Sequence, residues 1–290
     1  QRQMCIRDSD DTMRLGGADT SNDFFDGGAG RDMQNYEYAV NDVGNLKVVA
    51  SDTVLAGVIA GNVTNIGTNK IGTDTFNNVE IFVLANGDDV FDSTQVSGAI
   101  GVVVYLYGGV DTVDTGMGAD VVYDFGPYGA GGDDVHLGGG NDELYAGDNL
   151  NQNDTYAGGD GADAIWYNTQ APAGLVFNIK DDVVAGQPLL EGTITGADNG
   201  TDTVTGFEYY LGGRGNDSMD FSGITSTPLV LAGNDGDDVI KGSTVADIIN
   251  ASGTYGGGKD TISAGAGDDM LWAGSERNLS LIHISEPTRP

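Results

Sequence analysis

The residues best placed to do chemistry are aspartates set beside glycines in a nine-residue register. Tyr128 to Tyr145 reads YGAGGDDVHLGGGNDELY, two units of the form x-G-x-G-x-D-x-U-x in which U is large and apolar. Gly129, Gly131, Asp133 and Val135 fill the first unit, and Gly138, Gly140, Asp142 and Leu144 the second. A carboxylate supplies hard anionic oxygen, which suits calcium better than a soft metal. Glycine lets the backbone take positive φ and bring its carbonyl oxygens close to an ion. The apolar residue two places after the aspartate falls in a short strand and faces inward, because side chains alternate along a strand. Half of each unit is therefore an ion-binding turn and half a core-filling strand. Such units bury their apolar faces by stacking.

The D-x-U phrase recurs along the chain. Its aspartates are Asp11, Asp23, Asp32, Asp89, Asp111, Asp120, Asp133, Asp142, Asp154 and Asp163, then Asp217, Asp238, Asp247, Asp260 and Asp269. The inward positions two residues on are Met13, Phe25, Phe91, Val113, Val122, Val135, Leu144, Tyr156, Ile165, Met219, Ile240, Ile249, Ile262 and Leu271. Gln34, two after Asp32, departs from the pattern. Asp120 to Asp133, Asp142 to Asp154 and Asp247 to Asp260 are longer than nine residues and read as bulged turns.

On these units the chain resembles the RTX (repeat-in-toxin, haemolysin-type) calcium-binding repeats. The resemblance implies an all-β fold, a parallel β-roll or β-solenoid in which two units make one coil and calcium sits between unit n and unit n+2. The implied pairs are Asp111 with Asp133, Asp120 with Asp142, Asp133 with Asp154, Asp142 with Asp163, Asp238 with Asp260 and Asp247 with Asp269. Asp32, Asp89 and Asp217 stand in units with few regular neighbours on one side; each reads either as a further metal ligand, Asp32 and Asp217 joining the expected set, or as an aspartate that only caps its turn through its own backbone. Backbone carbonyls would complete the shells at Gly28, Gly30, Gly118, Gly129, Gly131, Gly138, Gly140, Gly159, Gly161, Gly213, Gly215, Gly236, Gly256, Gly258, Gly265 and Gly267. It also implies an extracellular bacterial protein exported by type I secretion machinery, with several Ca²⁺ ions as the cofactor. Without the ion, stacked carboxylates repel: two charges 4 Å apart cost about 1 kcal/mol in water and about 4 kcal/mol at an effective dielectric of 20. Folding should then depend on calcium.

The elements that must position these turns come in two textures. Between the glycine turns lie longer strand-like stretches rich in Val, Ile, Tyr and Phe. They are Asn35 to Ala39, Leu46 to Ala50 and Val79 to Ala85, then Ile165 to Asn168, Leu175 to Ile179 and Phe207 to Leu211. The segments Ser51 to Lys70 and Val183 to Asp198 are polar or small and read as loops. No stretch keeps a helical period. The phrases GTDTFNNVE and GTDTVTGFE resemble a spacer that accompanies haemolysin-type repeats in large bacterial surface proteins. Both textures repeat at offsets of 127 to 131 residues, so the chain reads as two copies of one long module, 10–141 and 142–278.

The ends, 1–9 and 279–290, resemble translated transposase-type sequencing adapters (MCIRDS and LSLIHISEPTR) and are set aside from fold reasoning. Cys5, the only cysteine, lies there, which leaves no disulfide or zinc-type ligand set. A formal charge of −32 excludes nucleic acid and anionic lipid as partners. No apolar run approaches the roughly 18 residues of a membrane span. The reading is a non-catalytic calcium-binding scaffold or stalk for a toxin, hydrolase or adhesin, with any catalytic domain outside this segment. Two alternatives stay open. One is a polysaccharide-active β-helix enzyme, a lyase or epimerase, although the basic residues are scattered singly and neither HExxH nor G-x-S-x-G occurs. The other is a module whose long loops bind a glycan or cell surface. His136 ends a unit and reads as a surface residue, and Trp166, Tyr209 and Tyr210 as strand packing.

Overall fold

In the computed structural model every regular element is a β-strand, and no α-helix occurs among the described residues. Those residues are 3–5, 9–14, 20–37, 45–52, 58–66, 71–97, 100–124, 131–147, 152–167, 174–184, 187–197, 200–250, 257–272 and 281–283. The chain divides into two compact units, Gln1–Leu144 with Gly158–Gly161, and Tyr145–Ala157 with Ala162–Pro290.

In the first unit successive coils lay one strand on each of two sheets. One sheet runs Thr12–Arg14, Met33–Asn35, Ile81–Val83, Val103–Leu106, Val121–Asp124, all parallel and in register. Its inward row is Met13, Gln34, Phe82, Val104 and Val122. The other sheet includes Phe24–Asp26, Val90–Gln95, Thr112–Asp114 and Asp134–His136, with Phe25, Phe91, Val113 and Val135 fully buried. The expected inward residues are buried throughout both units, except that Leu271 is half-buried. Rings from facing strands fill the core, Phe82 meeting Phe76 at 5.2 Å and Phe91 at 5.0 Å between centroids. The second unit repeats this plan. Ala164–Tyr167, Tyr209–Leu211, Val230–Ala232, Ile248–Asn250 and Met270–Trp272 form its parallel sheet. Ser218–Asp220, Val239–Lys241 and Thr261–Ser263 stack in parallel on the opposite side. The adapter-like segments pair as short parallel strands, Gln3–Cys5 on Phe24–Asp26 and Leu281–His283 on Thr261–Ser263.

One expectation fails. The two segments read as loops each contain a strand, Ile59–Asn65 and Gln187–Gly196. Each pairs antiparallel on both sides: Ile59–Asn65 with Leu46–Asp52 and Thr73–Asn77, and Gln187–Gly196 with Leu175–Val184 and Gly200–Thr205. Each unit thus carries a three-stranded antiparallel insert in one sheet of an otherwise parallel roll. The inward alternation Ile59, Gly61, Val63 was hidden by its glycine. A Cβ at Gly61 would run into the Val49 carbonyl and the Phe76 ring, so the Phe76 ring fills the place of a side chain. Gly192 stands in the same way between buried Leu190 and Ile194, against the Asn178 carbonyl.

Gln34 is also explained. It takes the inward position, fully buried, and its Nε2 donates to the Tyr36 hydroxyl at 2.8 Å, so its burial is partly compensated by a hydrogen bond. The strand that carries it ends at Asn35, short of the expected Asn35 to Ala39; residues 38–39 lie outside the described residues.

Candidate metal centre

The turns stack the aspartates into rows, and each carboxylate reaches back to the backbone of the coil before. In the first unit Asp111 Oδ1 accepts the Asp89 N–H at 2.8 Å, and Asp133 Oδ1 accepts the Asp111 N–H at 2.8 Å. On the other edge Asp142 Oδ1 accepts the Asp120 N–H at 2.7 Å. In the second unit Asp238 accepts from Asp217 at 2.8 Å, Asp260 from Asp238 at 3.0 Å, and Asp269 from Asp247 at 3.0 Å. Four of the expected n and n+2 pairs are therefore brought together: Asp111–Asp133, Asp120–Asp142, Asp238–Asp260 and Asp247–Asp269. The pairs Asp133–Asp154 and Asp142–Asp163 have one member in each unit.

These carboxylates are buried, except that Asp269 is half-buried. Asp32 and Asp163 are 0 % exposed, Asp111, Asp142 and Asp238 1 %, and Asp154 3 %. One oxygen of each pairing carboxylate meets an N–H; the surroundings of the second differ from rung to rung. Asp89, Asp217 and Asp247 each begin a run, and their Oδ2 accepts from the turn's own backbone: the N–H of Ala85 at 3.0 Å, Gly213 at 3.0 Å and Ser243 at 2.6 Å. Elsewhere in the rows, the Oδ2 atoms of Asp32 and Asp111 are buried with no hydrogen-bond partner. A buried carboxylate oxygen with nothing opposite it is costly unless a proton or a cation supplies the missing positive charge. Burial, assisted by neighbouring carboxylates, pushes Asp111 and Asp238 up to about 8. Burial likewise pushes Asp89 up to about 7.

The glycines supply carbonyls and leave no room for side chains. A Cβ at Gly131 would collide with the Gly109 carbonyl oxygen, at Gly140 with that of Gly118, at Gly236 with that of Gly215, and at Gly258 with that of Gly236. Gly118, Gly138, Gly159, Gly265 and Gly267 stack in the same manner on the carbonyls of Ile100, Gly116, Gly138, Ser243 and Val245. At Gly140 a φ of 139° adds a second reason for glycine. Gly161 pairs with Gly140 in a short parallel bridge. Gly28 and Gly30 occupy the turn before Asp32, and Gly213 and Gly215 the turn before Asp217. Gly129 and Gly256 lie outside the described residues. Buried carboxylate oxygens, some of them without partners, could hold a metal ion, and hard oxygen donors suit a hard cation.

Several rungs of the rows escaped the nonapeptide pattern. Asp74 Oδ1 accepts the Asp23 N–H at 2.9 Å, and Asp202 Oδ1 accepts the Asp154 N–H at 3.1 Å. Glu80 Oε2 accepts the Asp32 N–H, and Glu208 Oε2 the Asp163 N–H, both at 3.0 Å. The two spacer phrases thus supply rungs of the same rows. Their D-x-U and E-x-U spacing, Asp74 before Phe76 and Glu80 before Phe82, was the signal. Asp124, buried at the end of its strand, adds negative charge near Asp111. The residue before the rung also matters. Asp10, Asn22, Asp88, Asn153, Asn216 and Asp237 use Oδ1 to accept the N–H one coil onward, from Arg31, Thr73, Val110, Thr201, Asp237 and Lys259. Consecutive acidic or amide residues therefore staple a coil in both directions.

Other polar features lie on the surface. His136 ends its strand exposed, as expected, with Nδ1 2.8 Å from Asp114 Oδ1. Lys180 pairs with Glu191 at 2.8 Å beside a shallow depression of about 320 Å³, and both side chains are solvent-accessible. Outward aromatics stack on one another, Tyr105 on Tyr123 at 4.5 Å and Tyr145 on Trp166 at 5.5 Å. Tyr210 is fully buried in the core. Among known proteins, no family model matches the chain and no curated protein is significantly similar to it.

Proposed function

We propose that this chain is a calcium-binding β-roll region of a secreted bacterial protein, a scaffold or stalk whose folding is driven by Ca²⁺ after export. The observation that carries the reading is the Asp111 rung: fully buried, one oxygen on the Asp89 N–H, the other facing no donor. Buried acidic rungs recur along the rows in both units, and the glycines of the turns before them stack closely on carbonyls of the preceding coil. Calcium bound there would cancel the repulsion between successive rungs and tie each coil to the next. The protein's own part is to aim oxygens, exclude side chains from the turn and provide one inward apolar residue per strand.

The extracellular location and type I export follow from the RTX resemblance, which also makes the region non-catalytic. Millimolar calcium outside the cell would then set a chain that stays loose in a calcium-poor cytosol. Thermal unfolding followed by far-UV circular dichroism, with calcium and with chelator, tests the reading. A melting temperature raised by tens of degrees in calcium supports it; equal melting temperatures reject it.

A further inference from the structure

We infer that Glu80 and Glu208, the glutamates that close the two spacer phrases, are calcium ligands of their own, so that the metal rows continue through the coils that lack nonapeptides. The proposal rests on the calcium reading above. It extends that reading to a residue type and a motif the nonapeptide pattern does not contain.

Position comes first. Each glutamate stands where the repeat puts aspartate, two residues before an inward ring, Phe82 in one unit and Tyr210 in the other. Each makes the contact an aspartate rung makes: its Oε2 accepts the N–H of the preceding rung, Asp32 or Asp163, at 3.0 Å. The two copies arrive at one geometry from different local sequences, NNVE and TGFE.

The side-chain length has a reason. Asp74 and Glu80 are six residues apart, against nine within a regular pair of units. The shortened turn passes through Asn78 at φ 52° in one unit and Gly206 at φ 68° in the other, and lacks the paired glycines. The extra methylene spans the shorter turn, and the glutamate carboxylate still meets the N–H of the preceding rung.

A second observation points to a ligand. Asp32, on which Glu80 closes, is 0 % exposed, and its Oδ2 has no hydrogen-bond partner. Arg31 precedes this rung in the first unit, and Ala162 takes that position in the second. A divalent cation between rungs would supply the positive charge that the buried oxygen lacks.

The test counts ions on the full chain by equilibrium dialysis with ⁴⁵Ca²⁺, for wild type and for E80Q, E208Q and the double variant. Glutamine keeps an oxygen for the Asp32 or Asp163 N–H, so a purely hydrogen-bonding role leaves the count unchanged. The expected result is one ion lost per single variant and two from the double, or those ions bound at least tenfold more weakly. An unchanged count and affinity in the folded variants overturns the proposal alone. A wild-type chain that binds no calcium overturns the ladder reading beneath it. If a glutamine variant fails to fold at any calcium concentration, E80D and E208D are counted instead. Their shortened carboxylates are expected to give the same losses, and an unchanged count in them overturns the proposal.

Discussion

Replacing Asp111 with asparagine should have opposite effects with and without calcium. The side chain is 1 % exposed, accepts the Asp89 N–H through Oδ1, and leaves Oδ2 without a donor. Burial pushes its carboxyl up to about 8 in the calcium-free fold. The unfolded value is about 3.9. The contribution of a raised carboxyl is fully present below the unfolded value and is lost as pH rises through the folded one. At pH 7 the unfolded chain has released this proton while the calcium-free fold still holds it. Between about pH 4 and pH 7 that difference costs the fold about 4 kcal/mol, an upper bound for one group. The amide introduced by D111N keeps an oxygen for the Asp89 N–H and carries no charge. The variant should therefore stabilise the chelator-treated protein by up to about 4 kcal/mol. In calcium the same change removes an anionic ligand, and the calcium midpoint should rise at least tenfold. Urea unfolding at pH 7 in chelator and in saturating calcium reads both effects. The same effect in sign and size under the two conditions would show that no calcium ion depends on this carboxylate and would refute the reasoning.

Other outcomes follow from the same geometry. Burial raises Asp89 and Glu208 to about 7 and Asp111 and Asp238 to about 8, so with respect to these groups the calcium-free fold should be firmest at or below about pH 4 and weaken steadily up to about pH 8; circular dichroism in chelator reads this, and calcium should flatten the profile. Gly131→Ala places a Cβ against the Gly109 carbonyl and should cost about 2–4 kcal/mol in calcium, seen as a lower melting temperature. Tyr167→Phe strips the hydroxyl that donates to Asp202 Oδ2 at 2.8 Å. It should cost about 1–3 kcal/mol by urea unfolding, equally with and without calcium, because that oxygen is already satisfied within the chain.

The roll was legible because its period is written twice in each unit, once in the acid and once in the residue two places on. That double signal placed Asp111, Asp133 and Asp142 in buried rows and Val113, Val135 and Leu144 in the core. It failed where one half of the signal was disguised. Gly61 and Gly192 are inward strand positions filled by contact with neighbouring atoms, and a glycine there looks like a turn. Glu80 and Glu208 carry the acid on a longer stem after a shorter turn, out of the nine-residue register. The stapling by Asn22, Asn153 and Asn216 was invisible for another reason: a hydrogen bond between coils depends on which turns stack, and local sequence does not state that. The interruption of the rows at Leu46, Val102, Leu175 and Leu229, whose N–H groups cap the next acid, is equally a property of stacking order.

Anomalous diffraction from crystals grown in calcium tests directly whether cations sit between successive rungs. A peak is expected between Asp111 and Asp133, with Asp111 Oδ2 and glycine carbonyl oxygens about 2.3–2.6 Å away, the distance calcium takes to oxygen. A well-ordered roll with no peak there, and with Asp111 Oδ2 still facing no donor or ion, would contradict it.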